Sequence, residues 1–247
     1  MKIIFWDYDG TLVDTEILYK KSIESFFQKQ SLLLKEISDD YFFKNISGKH
    51  PEEFLSKLKA DNFIKPNFNL NPEELRKYYF TYFNNLKNGE IKVTQDIDSL
   101  INKFSNINDI IMCITSSSFR RDFIVKSNNV NNQILNKYFD VDKNVYLCGA
   151  IDGCKFKPEP DIFIYAFNDI KNKYKLNINK KDCIFIIEDS IAGCQAGRAF
   201  KKLYNRIIDI IVIGYLGGNK IDNYNNLIKN GADFIAKDTN RLFEIIS

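Results

Sequence analysis

The sequence predicts an α/β protein: a parallel sheet covered by helices on both faces, with a small all-helical insertion after the first strand. Three observations predict this fold class. Apolar runs of strand length recur along the chain, helical patterns alternate with them, and one long stretch near the start is helical throughout. Strands buried on both faces read as continuous apolar runs, and alternation of strands with helices is typical of parallel sheets.

Each predicted strand is a short apolar, β-prone run that ends in polar or turn-forming residues. These runs occupy residues 3–6, 109–115, 145–149, 183–189, 207–214 and 232–236. The helical patterns between them occupy residues 119–136, 159–175 and 191–203. Sheets of this kind bind ligands at the carboxyl ends of their strands, and polar residues occur there: Asp7, Asp9, Thr115, Ser116, Ser117, Glu188 and Asp189.

The stretch 16–90 contains no strand pattern. Apolar residues recur every three or four positions in ILYKKSIESFFQK, EEFLSKLKA and PEELRKYYFTYFNNL, and Pro51 and Pro72 suit the first turn of a helix. We therefore expect residues 1–15 and 91–247 to form the core. Residues 16–90 would form a helical cap domain above the carboxyl ends of the strands, where a lid would be useful.

Composition limits the possible partners and the compartment. The 247 residues are 45% hydrophobic and carry a net charge of only +3, which favours neither disorder nor a nucleic-acid surface. We find no signal peptide and no apolar run of about 18 residues, and the cysteines form no C-x-x-C pair. We therefore expect a cytoplasmic protein that binds neither nucleic acid nor membrane.

The histidine content limits the chemistry. His50 is the only histidine, which makes zinc hydrolases with several histidine ligands improbable, and a Ser-His-Asp hydrolase would need His50 itself as the base. Carboxylates, lysines and hydroxyls must therefore carry any chemistry of this chain.

The acids at the end of the first strand need a cation. Asp7 and Asp9 are separated by a single residue, and their carboxylates would repel each other without a cation between them. Taken alone, each polar segment has a plain structural explanation, such as a turn or a helix cap. These segments follow one another at strand ends, and a Lys-Pro at 157–158 lies between the end of the second predicted strand and the end of the fourth. This order favours a shared chemistry.

Phosphoryl transfer accounts for all of these residues. Asp7, Asp189 and Glu188 would hold Mg²⁺, a hard ion that prefers oxygen ligands. Lys157 would add a second positive charge, while Thr115 and the backbone N–H groups after Asp7 would bind the phosphate oxygens.

Asp7 and Asp9 would have different catalytic roles. Asp7 would attack phosphorus and form an aspartyl-phosphate. Asp9 would protonate the leaving oxygen and then activate the water that attacks the intermediate.

These segments closely resemble the motifs of the haloacid dehalogenase superfamily of phosphotransferases. DYDGTLVDTE at 7–16 matches the first motif, hhhhDxDGT, which is highly specific. The remaining three motifs match ITSSS with Thr115 as the hydroxyl, KPEPDIF with Lys157, and IIEDSIAGCQAG with Glu188 and Asp189. The gap between Asp7 and Thr115 resembles that of the subfamily with a helical cap after the first strand.

The resemblance implies a fold, a cofactor and a set of site residues. The core would be Rossmann-like, with three layers, and Mg²⁺ would be bound by Asp7, the carbonyl of Asp9 and Asp189, beside Glu188 as the further candidate ligand named above. The phosphate would be bound by Gly10, Thr11, Thr115, Ser116 and Lys157. The run SGKHPEEFL resembles the specificity loop of the family, which would place Gly48, Lys49 and His50 near a small phosphorylated metabolite.

The resemblance also implies alternatives, because relatives include phosphatases of sugar phosphates and of phosphoglycolate as well as β-phosphoglucomutase. The mutase has a histidine at the position that aligns with Tyr19 and an arginine where Pro51 falls, so both departures weaken the mutase interpretation. A third departure is Ala199-Phe200-Lys201 in place of Ala-Gly-Met, which affects packing after the site.

The first hypothesis is therefore a Mg²⁺-dependent phosphatase of a small phosphometabolite, a monomer or a weak dimer. The second is a phosphomutase, which returns the phosphoryl group to a sugar. A signalling receiver is a third, from another class, but such modules are about half this length and lack the insertion. A catalytically silent binding protein is disfavoured because every motif acid is intact.

Overall fold

The computed structural model describes residues 1–47, 51–68, 71–87, 89–131, 134–217 and 224–247. Within them, a six-stranded sheet has the order β5-β4-β1-β6-β7-β8, with all neighbours parallel. A second, two-stranded sheet pairs β2 with β3 in antiparallel orientation. The strands are β1 Lys2–Trp6, β2 Val13–Asp14, β3 Lys92–Val93, β4 Ile110–Ser116, β5 Val145–Leu147, β6 Cys183–Glu188, β7 Asp209–Tyr215 and β8 Phe234–Ala236.

Helices cover the six-stranded sheet and form the insertion. The helices of the insertion are α1 Glu16–Lys29, α2 Asp39–Asn45, α3 Pro51–Ala60 and α4 Pro72–Asn84. The helices of the rest of the described chain are α5 Ile97–Ser105, α6 Arg120–Asn128, α7 Ile134–Tyr138, α8 Asp161–Lys173, α9 Ile191–Tyr204, α10 Tyr224–Lys229 and α11 Thr239–Ile246. The predicted α/β fold class, with its helical insertion after the first strand, is therefore confirmed.

The central strand β1 explains why the apolar runs are continuous. Ile4 and Trp6 belong to one buried hydrophobic cluster, while Ile3 and Phe5 belong to another. Successive side chains of a strand point to opposite faces, and both faces of this sheet are packed against helices. Every position of β1 after Lys2 is consequently buried.

The insertion has a hydrophobic cluster of its own, formed by side chains of α1 to α4 and the loops between them. Pro51 and Pro72 begin α3 and α4, as the sequence predicts. The apolar spacing does not predict α2, which begins after Ser38. The Ser38 hydroxyl accepts a hydrogen bond from the N–H of Tyr41. The strands β2 and β3 flank the insertion and pair Val13 with Val93.

Several predicted elements are shorter than expected, including the helix predicted over 119–136 and the strand predicted over 145–149. The helix predicted over 119–136 ends at Asn128, because residues 129–131 form backbone hydrogen bonds with the chain that returns from the insertion, at Gly89 and Ile91. The strand predicted over 145–149 ends at Leu147 and is followed by a short 3₁₀ turn. Among the helices of the described ranges, none is sufficiently long and apolar to cross a membrane.

Candidate active site

Asp7 begins the site at the carboxyl end of the central strand. Its backbone N–H donates to the carbonyl of Ile187 on β6, at 3.0 Å, so the chain continues the sheet for one residue beyond β1. Its carboxylate is largely buried, and Oδ1 accepts a hydrogen bond of 2.7 Å from Nζ of Lys157. An acid from the first strand and a lysine 150 residues later therefore meet.

Lys157 is a buried ammonium that links several strand ends. Besides Asp7, its Nζ contacts Oε1 of Glu188 at 2.5 Å and donates to the carbonyl oxygen of Thr115 at 2.9 Å. Burial alone would lower the pKa of this ammonium, but the charges of Asp7 and Glu188 outweigh burial and raise it. Lys157 is therefore a fixed cation at the centre of the site.

Three acids form a compact group of oxygen ligands. Asp7, Glu188 and Asp189 each offer a carboxylate oxygen, these oxygens lie within 4.8 Å of one another, and all three residues are buried. Burial raises the pKa values of Asp7 and Glu188 against the opposing effect of Lys157. Buried acids this close favour a cation among them, and a set of carboxylate oxygens suits a hard ion such as Mg²⁺. The residues present thus fit a divalent cation.

The first turn of α9 supports Glu188. The hydroxyl of Ser190 lies 3.3 Å from Oε2 of Glu188 and accepts a hydrogen bond from the N–H of Gly193 at 3.0 Å, which caps the helix. A Cβ atom on Gly193 would overlap the Glu188 carboxylate. The glycine in the sequence EDSIAG therefore allows the helix backbone to lie against the acid.

Asp9 lies apart from this group and has its own partners. Its Oδ1 accepts from the hydroxyl of Thr15 at 2.7 Å, and its Oδ2 accepts from the hydroxyl of Ser118 at 3.0 Å and from Nζ of Lys126. Burial would raise the pKa of Asp9, but the Lys126 ammonium and these hydrogen bonds outweigh it and hold the pKa below its ordinary value. The pKa values of the two acids of DYDGT are thus shifted in opposite directions, although each acid contacts a lysine.

A cavity of about 360 Å³ opens over these groups. From the core, it is lined by Asp7, Asp9, Ser116, Ser117, Ser118, Phe119, Asp122, Lys126, Phe156, Lys157, Asp189, Ser190 and Ala192. From the insertion and its approach, it is lined by Thr15, Glu16, Tyr19, Ser47, Pro51, Leu75, Arg76 and Tyr79. The insertion therefore supplies one wall of the cavity, and the strand ends supply the other.

Two cation–π contacts join α4 of the insertion to the start of α6. The guanidinium of Arg76 lies 5.2 Å from the ring centre of Phe119, and that of Arg121 lies 3.6 Å from the ring centre of Phe80. Arg76 also lines the cavity. The two helices are thus held together where the cavity lies between them.

The structure brings most of the predicted site residues together. Asp7, Asp9, Ser116, Lys157 and Asp189 line the cavity, and Glu188 contacts Lys157. The predicted substrate contacts Gly48, Lys49 and His50 lie outside the described residues.

Thr115, Thr11 and Gly10 are placed differently from the prediction. The hydroxyl of Thr115 is fully buried, 3.5 Å from the carbonyl oxygen of Trp6, so it does not line the cavity, whereas the next residue, Ser116, does. Successive strand residues face opposite sides, which explains the exchange. The hydroxyl of Thr11 lies 3.3 Å from Oδ1 of Asp189 and supports that acid. Gly10 does not line the cavity, and its backbone N–H donates to the carbonyl of Val13 at 2.8 Å; its φ of 83° in the turn after Asp9 is a conformation that favours glycine.

Sequence reasoning missed the partners of Asp9 and the cation of the insertion wall. Lys126 is the residue for which a signal existed: it follows the buried Phe123 by three positions and so occupies the buried face of α6, where a lysine is unusual. Arg76 gave no such signal, because a partly exposed arginine on a helix is common.

The chain matches a known protein family over most of its length. Residues 3–202 match the family model described as haloacid dehalogenase-like hydrolase. The matched range contains Asp7, Ser116, Lys157 and Asp189, which all line the cavity.

The individual relatives share only about a fifth of their residues with this chain. The 6-phosphogluconate phosphatase of Escherichia coli (strain K12) is 23% identical over 197 residues, which are 80% of this chain and 78% of the relative. CbbY of Rhodobacter sphaeroides, solved in complex with xylulose-(1,5)bisphosphate, is 16% identical over 96% of this chain and 94% of its own, with a TM-score of 0.66. A putative β-phosphoglucomutase from Thermotoga maritima is 20% identical over 99% and 98%, with a TM-score of 0.62. The structural matches, at these identities, establish a shared fold.

Proposed function

Because the chain belongs to the haloacid dehalogenase-like hydrolase family, we propose that it is a Mg²⁺-dependent phosphatase of a small phosphorylated metabolite, a sugar phosphate or a similar monoester. The family makes the chain a hydrolase, and the phosphatase among its relatives supports phosphoric monoesters as the substrates. Two relatives support sugar phosphates in particular: one is a 6-phosphogluconate phosphatase, and the other was solved with a xylulose bisphosphate.

One observation carries the proposal: Asp7 lies in a cavity with a lysine at 2.7 Å and two further acids within 4.8 Å. Asp7, Glu188 and Asp189 would hold Mg²⁺, with the carbonyl of Asp9 as a further predicted ligand. When bound, Mg²⁺ would offset the negative charges of the phosphate and the acids, which otherwise oppose each other. Lys157 would neutralise one phosphate oxygen, and Ser116, which lines the cavity, takes the role predicted for Thr115.

In the proposed reaction, an oxygen of Asp7 attacks phosphorus, and the bond from phosphorus to the ester oxygen breaks. Because Lys126 holds the pKa of Asp9 low in the free protein, Asp9 must first take up a proton as the anionic substrate binds; it then gives this proton to the leaving oxygen and becomes a carboxylate again. It then takes a proton from a water molecule, whose oxygen attacks the phosphorus of the aspartyl-phosphate as the bond between phosphorus and the Asp7 oxygen breaks. The products are the alcohol and inorganic phosphate, and both acids return to their starting states.

The wall of the cavity favours hydrolysis over mutase chemistry. Tyr19 and Pro51 both line the cavity, and they stand where the resemblance places a histidine and an arginine in the mutase. Burial raises the pKa of the Tyr19 hydroxyl, so this residue stays neutral, and a proline has no cation. We therefore propose that water, and not a second sugar, receives the phosphoryl group.

We also propose that residues 16–90 form a cap domain on a core of residues 1–15 and 91–247. The separate hydrophobic cluster of the insertion supports this division, as does the pairing of β2 with β3 at its two ends. A cavity of about 360 Å³ lies in the range typical of small-molecule sites. We propose that the enzyme acts as a monomer or weak dimer in the cytoplasm.

The test is phosphate release from a panel of phosphometabolites that includes 6-phosphogluconate and hexose phosphates, with Mg²⁺ and with EDTA. We expect turnover with Mg²⁺ only, and Asp7→Asn should abolish it, because the amide has the same shape but is a poor nucleophile. An isomerised sugar phosphate in place of free phosphate would support the mutase. Wild-type turnover by Asp7→Asn would exclude the proposed nucleophile.

A further inference from the structure

Lys126 is a buried ammonium that lies outside the four sequence motifs of the haloacid dehalogenase superfamily identified above. It lies in the last turn of α6, its side chain is only 4% exposed, and its Nζ contacts Oδ2 of Asp9 and the hydroxyl of Ser118, the latter at 2.9 Å. It also lines the cavity. Lys126 therefore supplies a cation to the second acid of DYDGT, as Lys157 does to the first.

Packing alone does not explain a lysine at this position. The neighbouring Phe123 on α6 is buried and packs against the ring of Tyr8, so a leucine or methionine would suit the same face. A buried ion pair contributes little net stability, because desolvation of both charges offsets their attraction. The ammonium must therefore serve its partner, Asp9, whose side chain is 26% exposed and lines the cavity.

The partners of Asp9 hold both of its carboxylate oxygens. Thr15 donates to Oδ1 from one side, and Ser118 and Lys126 contact Oδ2 from the other. Ser118 is itself held by Lys126. Lys126 on α6 and Ser118 in the loop before it thus hold the Asp9 carboxylate together with Thr15.

We propose that Lys126 is the positioning residue of Asp9: it fixes the carboxylate at the place from which it exchanges protons with the leaving oxygen and with water. The inference rests on the proposed function and deepens it, because it adds α6 to the parts of the chain that turnover requires. Lys126 acts through Asp9 and need not touch the substrate.

The test separates kcat from KM in three variants. Lys126→Met keeps the length of the side chain and removes its charge, so kcat should fall by about 10- to 100-fold while KM changes little, since misplacement of a reacting group costs about this much. Lys126→Arg should recover part of kcat. Arg120→Met, which removes an exposed cation of the same helix paired with the exposed Asp142, should leave both constants unchanged.

A double-mutant cycle distinguishes positioning from a general effect on the fold. In the Asp9→Asn background, Lys126→Met should reduce phosphate release from para-nitrophenyl phosphate by less than 2-fold further, because its target is already lost. An equal reduction in both backgrounds would overturn the inference. If Lys126→Met does not fold, Ser118→Ala provides the test and should lower kcat without raising KM.

The two proposals fail in different ways. A wild-type enzyme that releases no phosphate from any tested monoester overturns the proposed function and this inference with it. An active wild type, together with an unchanged kcat in Lys126→Met, overturns the positioning role alone.

Discussion

Gly193 lies directly against the carboxylate of Glu188, so closely that no side chain fits between them. The contact joins the first turn of α9 to the end of β6, where Glu188 and Asp189 lie. Glu188 also contacts Lys157 at 2.5 Å. A helix backbone thus supports the acid, which in turn contacts the central cation.

Gly193→Ala should impair the site although alanine favours a helix. In an unconstrained helix this change would stabilise by about 1 kcal/mol. Here the new Cβ must displace the Glu188 carboxylate, so Mg²⁺ affinity should fall by about 10- to 100-fold, as for other residues that support metal ligands. Calorimetric titration with Mg²⁺ measures this effect. Gly197→Ala is the matched control on α9: the atoms nearest to its Cβ would belong to Val212 and Ile186, so it should alter stability and leave Mg²⁺ affinity unchanged.

Tyr8→Phe should stabilise the protein. The Tyr8 hydroxyl is buried without a hydrogen-bond partner among the described residues, and an unsatisfied buried group costs about 1 kcal/mol or more. Its removal should raise the free energy of unfolding by about 1 kcal/mol, measured by urea denaturation, and leave turnover intact. Tyr146→Phe is the control, because that hydroxyl donates to Asp169 at 2.7 Å, and it should destabilise. A loss of stability in Tyr8→Phe would indicate that the hydroxyl has a partner in solution.

The order of elements could be predicted from the sequence, because strands buried on both faces leave continuous apolar runs. The side of the strand that a residue faces could not. Thr115 and Ser116 are adjacent hydroxyls at the end of β4, and only the second lines the cavity. Which one does so depends on the register of β4 against β1, a tertiary property that a single strand does not encode.

The partners of Asp9 were beyond sequence reasoning for a similar reason. Lys126 is 117 residues from Asp9, and the path of α6 brings them together. The sequence pattern indicates that Lys126 lies on the buried face of a helix, but it does not indicate which residue Lys126 contacts. The helix predicted over 119–136 also hid the point at which α6 ends, since the hydrogen bonds of residues 129–131 are made with the distant segment 89–91.

Arg76→Gln should weaken the binding of substrates with a second anionic group. Arg76 is a cation in the insertion wall of the cavity, and its partner Glu73 is an exposed residue at 3.4 Å. A charged hydrogen bond to a distal carboxylate contributes about 1.5 to 3 kcal/mol, so KM for 6-phosphogluconate should rise by about 10-fold or more. KM for para-nitrophenyl phosphate should change little.

Arg121→Gln controls for the junction between α4 and α6, because Arg121 contacts Phe80. It should affect both substrates alike. An equal rise of KM for both substrates in Arg76→Gln would contradict a distal contact and would assign Arg76 to the junction instead.

Thermal stabilisation by Mg²⁺ should increase with pH. Burial raises the pKa of Glu188 from 4.5 to about 8, and that of Asp7 from 3.8 to about 6. Without metal, the folded protein therefore holds protons that the unfolded chain has released between these values. The contribution of both acids to stability is present below pH 4 and is lost as the pH rises through about 6 and then about 8. Mg²⁺ binds the ionised acids, so its affinity increases over the same range.

The measurement is the difference in Tm with Mg²⁺ and with EDTA, because the subtraction removes every group that does not sense the metal. This difference should be larger at about pH 8 than at about pH 6, since stabilisation by a ligand grows with its concentration relative to Kd. Glu188→Gln removes one titrating group and should reduce both the difference and its dependence on pH. A difference that is constant from pH 6 to pH 8 would mean that the acids are already ionised in the metal-free protein, with Lys157 outweighing their burial.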